Sequence, residues 1–199
     1  MGATEQEVFV QAEHALTSVI DQITPEQWSQ PLPDWFNTGA GDDTYTIRTI
    51  VNYHAYDDSW VPDTLAGRTI DEVGDRYDGD LLGDDPKASW HGIVGRAVDA
   101  VSSFDDLERT VHLTYGDFPA REYLWHITSF RVMRAIDLAR ALGVDEQLPE
   151  SLVTAHFAQV APHAEEWRAL GVFGPAIDVA ADAPIQQRLL GLTGRPPTM

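Results

Sequence analysis

The stretch Ala120–Leu142, AREYLWHITSFRVMRAIDLARAL, decides the fold, because apolar residues occur on every side when it is drawn as a helix. A helix of this kind lies at the centre of a protein, yet this one carries several charged residues. Buried charge is costly unless it is paired. We therefore expect Asp137 to pair within the helix with Arg134 or Arg140, at spacings of three residues. Gly143 is expected to end the helix.

Four further helices are predicted from apolar residues at helical spacing, and a fifth short one near the end. Asp85-Pro86 is a strong start sequence, with Asp as the N-cap and Pro as the first helical residue. The predicted ranges are 5–23, 46–65, 86–104, 150–170 and 185–192. Short extended pieces are expected at 110–114 and 177–179, and polar or acidic loops at 29–45 and 71–85. The sequence therefore predicts an all-α, single-domain chain over 1–199, with an antiparallel bundle core over about 5–170 and a C-terminal extension over about 171–199.

Composition excludes several classes of function. The chain has 199 residues with 32 Asp and Glu against 13 Lys and Arg, a net charge of −19. This balance argues against nucleic acid and against anionic membrane surfaces as partners. The absence of Cys excludes disulfides, a thiolate nucleophile and Cys-based zinc sites. With no basic, apolar leader and no long apolar run, we expect a cytoplasmic protein.

Two pairs of potential ligands occur at a spacing of four residues. His54 and Asp58 form one pair, and Glu122 and His126 form the other. Each pair projects from one face of a predicted helix, and two facing pairs could hold a divalent metal. Such pairs also arise by chance in helices rich in His and acids. The other histidines are interpreted as surface or capping residues: His14, His91, His112, His156 and His163. There is no Gly-x-Ser-x-Gly, P-loop or dinucleotide-binding motif.

Several strings resemble one protein family. The matching strings are Thr46-Ile-Arg48, Val51-Asn52, Trp60-Val-Pro-Asp-Thr-Leu-Ala-Gly67, Glu72-Val-Gly-Asp75, Gly79-Asp-Leu-Leu-Gly-Asp-Asp-Pro86 and Asp137-Leu-Ala-Arg-Ala141. They resemble the mycothiol-dependent maleylpyruvate isomerase branch of the DinB-like superfamily. The resemblance implies an up-down four-helix bundle with a divalent metal held by one His on the second helix and by an acid and a His on the later helix. It also implies that the metal activates a low-molecular-weight thiol, which would explain the lack of Cys.

The chain departs from this family at the metal ligands. An ungapped match puts Tyr53 at the first His, Phe130 at the acid and Arg134 at the second His. Phe cannot bind a metal, and a guanidinium repels a dication. Glu122 and His126 lie two turns from the usual positions while His54 lies one residue away, so the shifts do not match. We therefore favour replacement of the metal by charge, with Arg134 paired to Asp57 or Asp58.

The preferred hypothesis is a divergent enzyme or binding protein that needs no cofactor and takes a small anionic metabolite. Its pocket would be lined by Arg131, Arg134, His54, His126 and Tyr53, with Asp57 and Asp58 beside it. His54, His126 and Arg134 would be catalytic, the histidines as acid or base near neutral pH.

Two alternatives stay open. One is a thiol-using transferase or isomerase with zinc or nickel at a relocated site made by His54, Asp58, Glu122 and His126. The other is a non-catalytic binding or stress protein on the same scaffold. A homodimer is compatible with all three.

Overall fold

A computed structural model of the chain describes residues 3–36 and 45–198. In chain order its elements are α1 (Glu5–Ile20), α2 (Ile47–Leu65), α3 (Ile70–Val73), α4 (Pro86–Ser102), β1 (Thr110–Leu113), β2 (Gly116–Pro119), α5 (Ala120–Leu142), α6 (Glu150–Val160), α7 (Ala164–Ala169) and α8 (Ile185–Leu192). The described chain is mostly helical, which confirms the all-α prediction at that level. Part of the loop expected over 29–45 lies outside the described residues.

Local capping chemistry fixes the ends of the long helices. Thr46 caps α2 by accepting a hydrogen bond from the Thr49 N–H at 3.2 Å. Asp85 caps α4 by accepting from the Ala88 N–H at 3.1 Å, directly before Pro86. Gly143 ends α5 in the left-handed region, with φ of 71°. These helix boundaries agree with the sequence-based ones within about two residues.

Contacts between side chains give the helix directions. Glu5 of α1 pairs with Arg121, and Glu13 pairs with Arg131, so α1 and α5 run the same way. Asp58 of α2 also contacts Arg131, whereas His54, earlier in α2, contacts Arg134, later in α5. Helix α2 is therefore antiparallel to α5.

Helix α4 runs opposite to α1. Near the start of α4, Lys87 donates to the Asp21 carbonyl at 2.6 Å, and Trp90 donates to Thr17 at 2.9 Å. Near its end, Gln6 donates to the Phe104 carbonyl at 3.1 Å. The bundle is thus up-down-down-up, which corrects the simple up-down, antiparallel alternation expected from the sequence. The 20 residues between α2 and α4 permit this, because they easily span the ~28 Å length of α2.

Three smaller predictions need correction in their details. The expected extended piece at 110–114 is strand β1, but it forms a hairpin with β2, which was not predicted. The predicted helix over 150–170 divides into α6 and α7 with a 3-10 turn between them, because Pro162 has no N–H to donate. The piece at 177–179 is not a strand. It is held to α8 by a hydrogen bond from the Ile177 N–H to the Gly191 carbonyl at 2.9 Å.

Helix α5 is the most deeply buried element, as its composition predicts. Every residue over 131–139 is buried. It packs against α1 and α2 on one side and against α6 and α8 on the other. Charged groups on α5 therefore lie inside the molecule, next to groups from distant parts of the chain. No helix in residues 3–36 or 45–198 is long and apolar enough to cross a membrane.

Candidate functional site

A network of charged residues at the centre of the bundle surrounds Arg131, whose side chain has no exposed surface. Its Nε donates to Glu13 Oε1 at 2.9 Å and to Asp58 Oδ1 at 3.1 Å, and its Nη2 also donates to Asp58. Asp57 Oδ2 lies 3.5 Å from Nη1. Arg131, not Arg134, therefore makes the ion pairs expected with Asp57 and Asp58.

The Glu13 and Asp58 carboxyls share this buried site. Each has one oxygen, Glu13 Oε2 and Asp58 Oδ2, with no hydrogen-bond donor in the described chain. Burial, followed by the charge of Asp58, raises the pKa of Glu13 well above its ordinary value. Burial also raises the pKa of Asp58, but Arg131 opposes this effect. We infer that Glu13 holds a proton and donates it towards Asp58, which leaves Asp58 as the anion that balances Arg131.

His54 is 2 % exposed and lies between two guanidinium groups. Its Nε2 accepts a hydrogen bond from Arg134 Nε at 2.8 Å, so the ring proton is assigned to Nδ1. Nδ1 lies 4.0 Å from Asp57 Oδ2 and 3.4 Å from Arg131 Nη1. Burial, with Arg134 and Arg131, lowers the pKa of His54 well below its ordinary value. His54 is thus a neutral acceptor that orients Arg134, and this geometry does not favour the expected acid or base role near neutral pH.

Beside this network lies a cavity of about 340 Å³, which we call the inner cavity. Arg134, Tyr53 and His54 line one side of it. Arg134 also stacks on Phe36, with 4.6 Å between the guanidinium carbon and the ring centre. Burial lowers the pKa of Arg134 to about 10, so it stays protonated at neutral pH.

Arg195 supplies a second guanidinium to the inner cavity. Asp137 holds it through two hydrogen bonds, to Nε at 2.9 Å and to Nη2 at 2.8 Å. The expected pairing of Asp137 within α5 is therefore replaced by a partner 58 residues away. Arg140 pairs instead with Glu146.

A second cavity of about 840 Å³, the outer cavity, lies between the β1–β2 hairpin, α5 and α6–α7. His126 is its central polar group and is surrounded by the rings of Tyr115, Phe118 and Trp167 at 5.2 to 5.8 Å. The Tyr115 hydroxyl lies 3.3 Å from Nδ1 of His126, and Glu122 Oε1 lies 4.0 Å from Nε2. Burial lowers the pKa of His126, and the charge of Glu122 opposes this effect.

The predicted pocket is therefore divided between three places. Tyr53, His54 and Arg134 line the inner cavity, and the Tyr53 ring lies edge-on to His54 at 5.6 Å. Arg131 and Asp58 are fully buried and line neither cavity. Asp57 is linked to them but is 27 % exposed, whereas His126 and Glu122 line the outer cavity.

The residues do not fit the metal that the family resemblance implies. Across residues 3–36 and 45–198, no three His, Asp or Glu side chains are grouped so as to hold a metal ion. The four residues of the proposed relocated metal site lie in two separate places. His54 lies at the inner cavity with Asp58 buried near it, and Glu122 and His126 lie at the outer cavity. Asp58 and His54 are also in contact with the Arg131 guanidinium, whose charge repels a dication.

Three residues of this region were missed from the sequence. Glu13 lies on the apolar face of α1, four residues after Phe9 and three before Leu16, and this mismatch could have identified it. His156 was wrongly interpreted as a surface or capping residue: it is fully buried on the apolar face of α6, and neither ring nitrogen has a hydrogen-bond partner within residues 3–36 and 45–198. No pattern in the sequence around Arg195 identifies it as part of this region.

In comparisons with known proteins, no family model, curated protein or solved structure was found to match the chain.

Proposed function

We propose that the chain binds a small anionic metabolite in the inner cavity, as a divergent, metal-independent member of the DinB-like superfamily. The observation that supports this most directly is the orientation of Arg134, whose Nε donates to His54 Nε2 at 2.8 Å at the cavity wall. A neutral His behind the guanidinium fixes its direction. The fork geometry of Arg suits carboxylate and phosphate groups.

The charges of the inner cavity favour an anion. Among the described residues that line this cavity, Arg134 and Arg195 are cationic and Asp137 is anionic, in a protein whose net charge is −19. Asp137 engages only Nε and Nη2 of Arg195. Among the described residues, Nη1 of Arg195 makes no other hydrogen bond, so it can donate to a ligand. Attraction between these groups and an anion is strong because the site is partly closed to water.

Ser129 supplies a neutral polar group on the same wall. Its side chain is 3 % exposed, and its Oγ has no hydrogen-bond partner in the described chain. Because the Oγ atom itself is buried, Ser129 shapes the wall without presenting its hydroxyl to the cavity. The two guanidiniums therefore carry the proposed contacts to a carboxylate or phosphate group.

If the protein is also an enzyme, His126 is the better candidate for an acid or base. It lines the outer cavity with 17 % of its side chain exposed. Its lowered pKa makes it neutral at neutral pH, as a general base requires. His54 would act as a positioning residue for Arg134, and Arg131 and Asp58 would hold the network behind it.

Isothermal titration calorimetry with inorganic phosphate and with carboxylates of two to six carbons tests this proposal. We expect at least one of them to bind, and Arg134→Met to weaken that binding at least about tenfold, as expected for loss of a charged hydrogen bond. Arg96→Met is the matched control, because exposed Arg96 donates to no described group other than the Gly92 carbonyl of its own helix. Equal binding by both variants, or no binding of any anion, would overturn the proposal.

Metal analysis of the protein purified without a His tag tests the metal-independent part. We expect no stoichiometric transition metal. One zinc or nickel ion per chain that is lost in His54→Ala and His126→Ala would support the relocated metal site instead.

A further inference from the structure

The outer cavity has a wall of aromatic rings that are open to solvent. Tyr115 is 59 % exposed and Phe130 is 46 % exposed. Trp125 and Trp167 line the same space and are half-buried. Exposed apolar surface gathered in one concave space marks a place where a partly apolar molecule binds. The volume of about 840 Å³ lies in the range of pockets that enclose small organic ligands.

Two carboxylates of this wall are in contact with solvent and are not paired with a guanidinium or a lysine. Glu122 and Glu166 have side chains that are 53 % and 70 % exposed. Within residues 3–36 and 45–198, their partners are His126 at 4.0 Å and His163 at 3.7 Å. Burial lowers the pKa of His126, so its ring is neutral at neutral pH and does not balance the charge of Glu122.

The guanidinium at this cavity is already paired. Among the described residues that line the cavity, Arg121 is the one Arg or Lys. It contacts Glu5, which also lines the cavity, and Glu108 at 3.1 Å. The described part of the wall therefore has three carboxylates and one guanidinium, and an anionic ligand would be repelled there.

A ring and a carboxylate lie on the two sides of His126. Its Nδ1 lies 3.3 Å from the Tyr115 hydroxyl, and its Nε2 lies 4.0 Å from Glu122 Oε1. The face of an aromatic ring attracts an ammonium group, and an ammonium group with carbon substituents also buries apolar surface against the ring. A carboxylate one imidazole away adds Coulomb attraction. The rings alone would accept any apolar molecule, and the carboxylates select a cationic one.

We propose that the outer cavity binds an organic cation, namely a quaternary or tertiary ammonium group with an apolar substituent. The ammonium group would lie against Tyr115 and close to Glu122, and the substituent would cover the exposed surface of Phe130 towards Trp167. This site is separate from the anion site proposed for the inner cavity, and neither proposal depends on the other.

Choline and its uncharged isostere 3,3-dimethylbutan-1-ol test the proposal, because they have the same shape and differ in charge. In calorimetric titrations at neutral pH, we expect choline to bind at least about tenfold more tightly than the alcohol. Hexyltrimethylammonium should bind more tightly than choline, because its chain buries further apolar surface. Equal affinity for choline and the alcohol, or binding of neither, would overturn the proposal. A hexyl chain that adds no affinity would overturn the assignment of the apolar substituent.

Two variants test the location of the site. Tyr115→Leu and Glu122→Gln should each weaken choline binding at least about threefold, and Glu122→Gln should leave binding of the alcohol within about twofold. Both side chains are more than half exposed, so their replacement leaves the fold intact. Trp35→Leu and Glu150→Gln are the matched controls, because both residues are exposed and line neither cavity. Choline affinity that is the same in the two variants as in the controls would overturn the proposal.

Discussion

Asp58→Asn and Glu13→Gln are nearly isosteric replacements in the same buried network, and we expect them to have very different effects on stability. Asp58 is the ionised partner of Arg131, which has no exposed surface. Removing one partner of a buried ion pair lowers the free energy of unfolding by about 3–5 kcal/mol. Asp57 remains 3.5 Å from Arg131 and is 27 % exposed, so it compensates in part, and we expect a loss of about 3 kcal/mol.

Glu13→Gln should have a much smaller effect if Glu13 is the protonated member of the pair, as inferred above. The Gln carbonyl can still accept the hydrogen bond from Arg131 Nε, and its NH₂ group can donate to Asp58 as the Glu13 proton does. We expect a loss below about 1 kcal/mol at pH 5, which becomes smaller or turns into a gain at pH 8. Because the pKa of Glu13 is raised in the folded state, Glu13 binds a proton when the protein folds. Wild-type stability therefore falls as the pH rises from about 4.5 through the folded pKa. Glu13→Gln should lack this decrease.

Urea unfolding followed by Trp fluorescence measures both effects, at pH 5 and pH 8. For a chain of this size, a loss of about 3 kcal/mol corresponds to a decrease in Tm of about 6–12 °C. Equal losses for the two variants, or a larger loss for Glu13→Gln, would show that the proton is not on Glu13. In that case the assignment of charges around Arg131 would be wrong.

Three further predictions concern the C-terminal third and α4. Burial lowers the pKa of His156 to about 3, so the folded state binds fewer protons than the unfolded state and the protein loses stability as the pH falls below about 6.5. Between pH 7.5 and pH 5, the stability of His156→Leu measured by urea unfolding should therefore rise by about 2 kcal/mol relative to that of the wild type. A constant difference between the two proteins would contradict the burial of a neutral ring. A methyl group on Gly191 would lie 2.4 Å from Val179 Cγ2 and 2.6 Å from the Ile177 carbonyl oxygen. Gly191→Ala should therefore destabilise the 171–198 segment by about 1–3 kcal/mol and speed its proteolysis, and cleavage of the variant at the wild-type rate would refute this close contact. Gly95→Ala in α4 meets no atom within 4 Å and should instead raise the free energy of unfolding by about 0.5–1 kcal/mol, with any loss indicating an unrecognised contact at this site.

The sequence predicted the helices well because the signals that form them are local. Capping by Thr46 and Asp85 and the left-handed Gly143 depend on residues within one turn. Apolar spacing likewise predicted that α5 is buried. The break at Pro162 was also detectable, but the apolar pattern continues through it, and for that reason it was interpreted as one helix.

The candidate site was less predictable because its partners are distant in the chain. Arg131 meets Glu13 across 118 positions, and Asp137 meets Arg195 across 58. Spacing along α5 suggested near neighbours for Asp137, whereas tertiary packing provided a distant partner. His54, Arg131, Arg134, Asp57 and Asp58, which the sequence placed in one pocket, are linked by side-chain contacts. Their pairing, and the separation of His126 into the outer cavity, could be seen only in three dimensions.

The Arg195–Asp137 pair has a consequence for the order in which the protein acquires its properties during synthesis. All four long helices, and the whole Arg131 network, are encoded before residue 143. One of the two cations in the inner cavity, however, is added more than 50 residues later. A nascent chain therefore contains every residue of its charged core more than 50 positions before the guanidinium that pairs with Asp137 and helps to line the inner cavity.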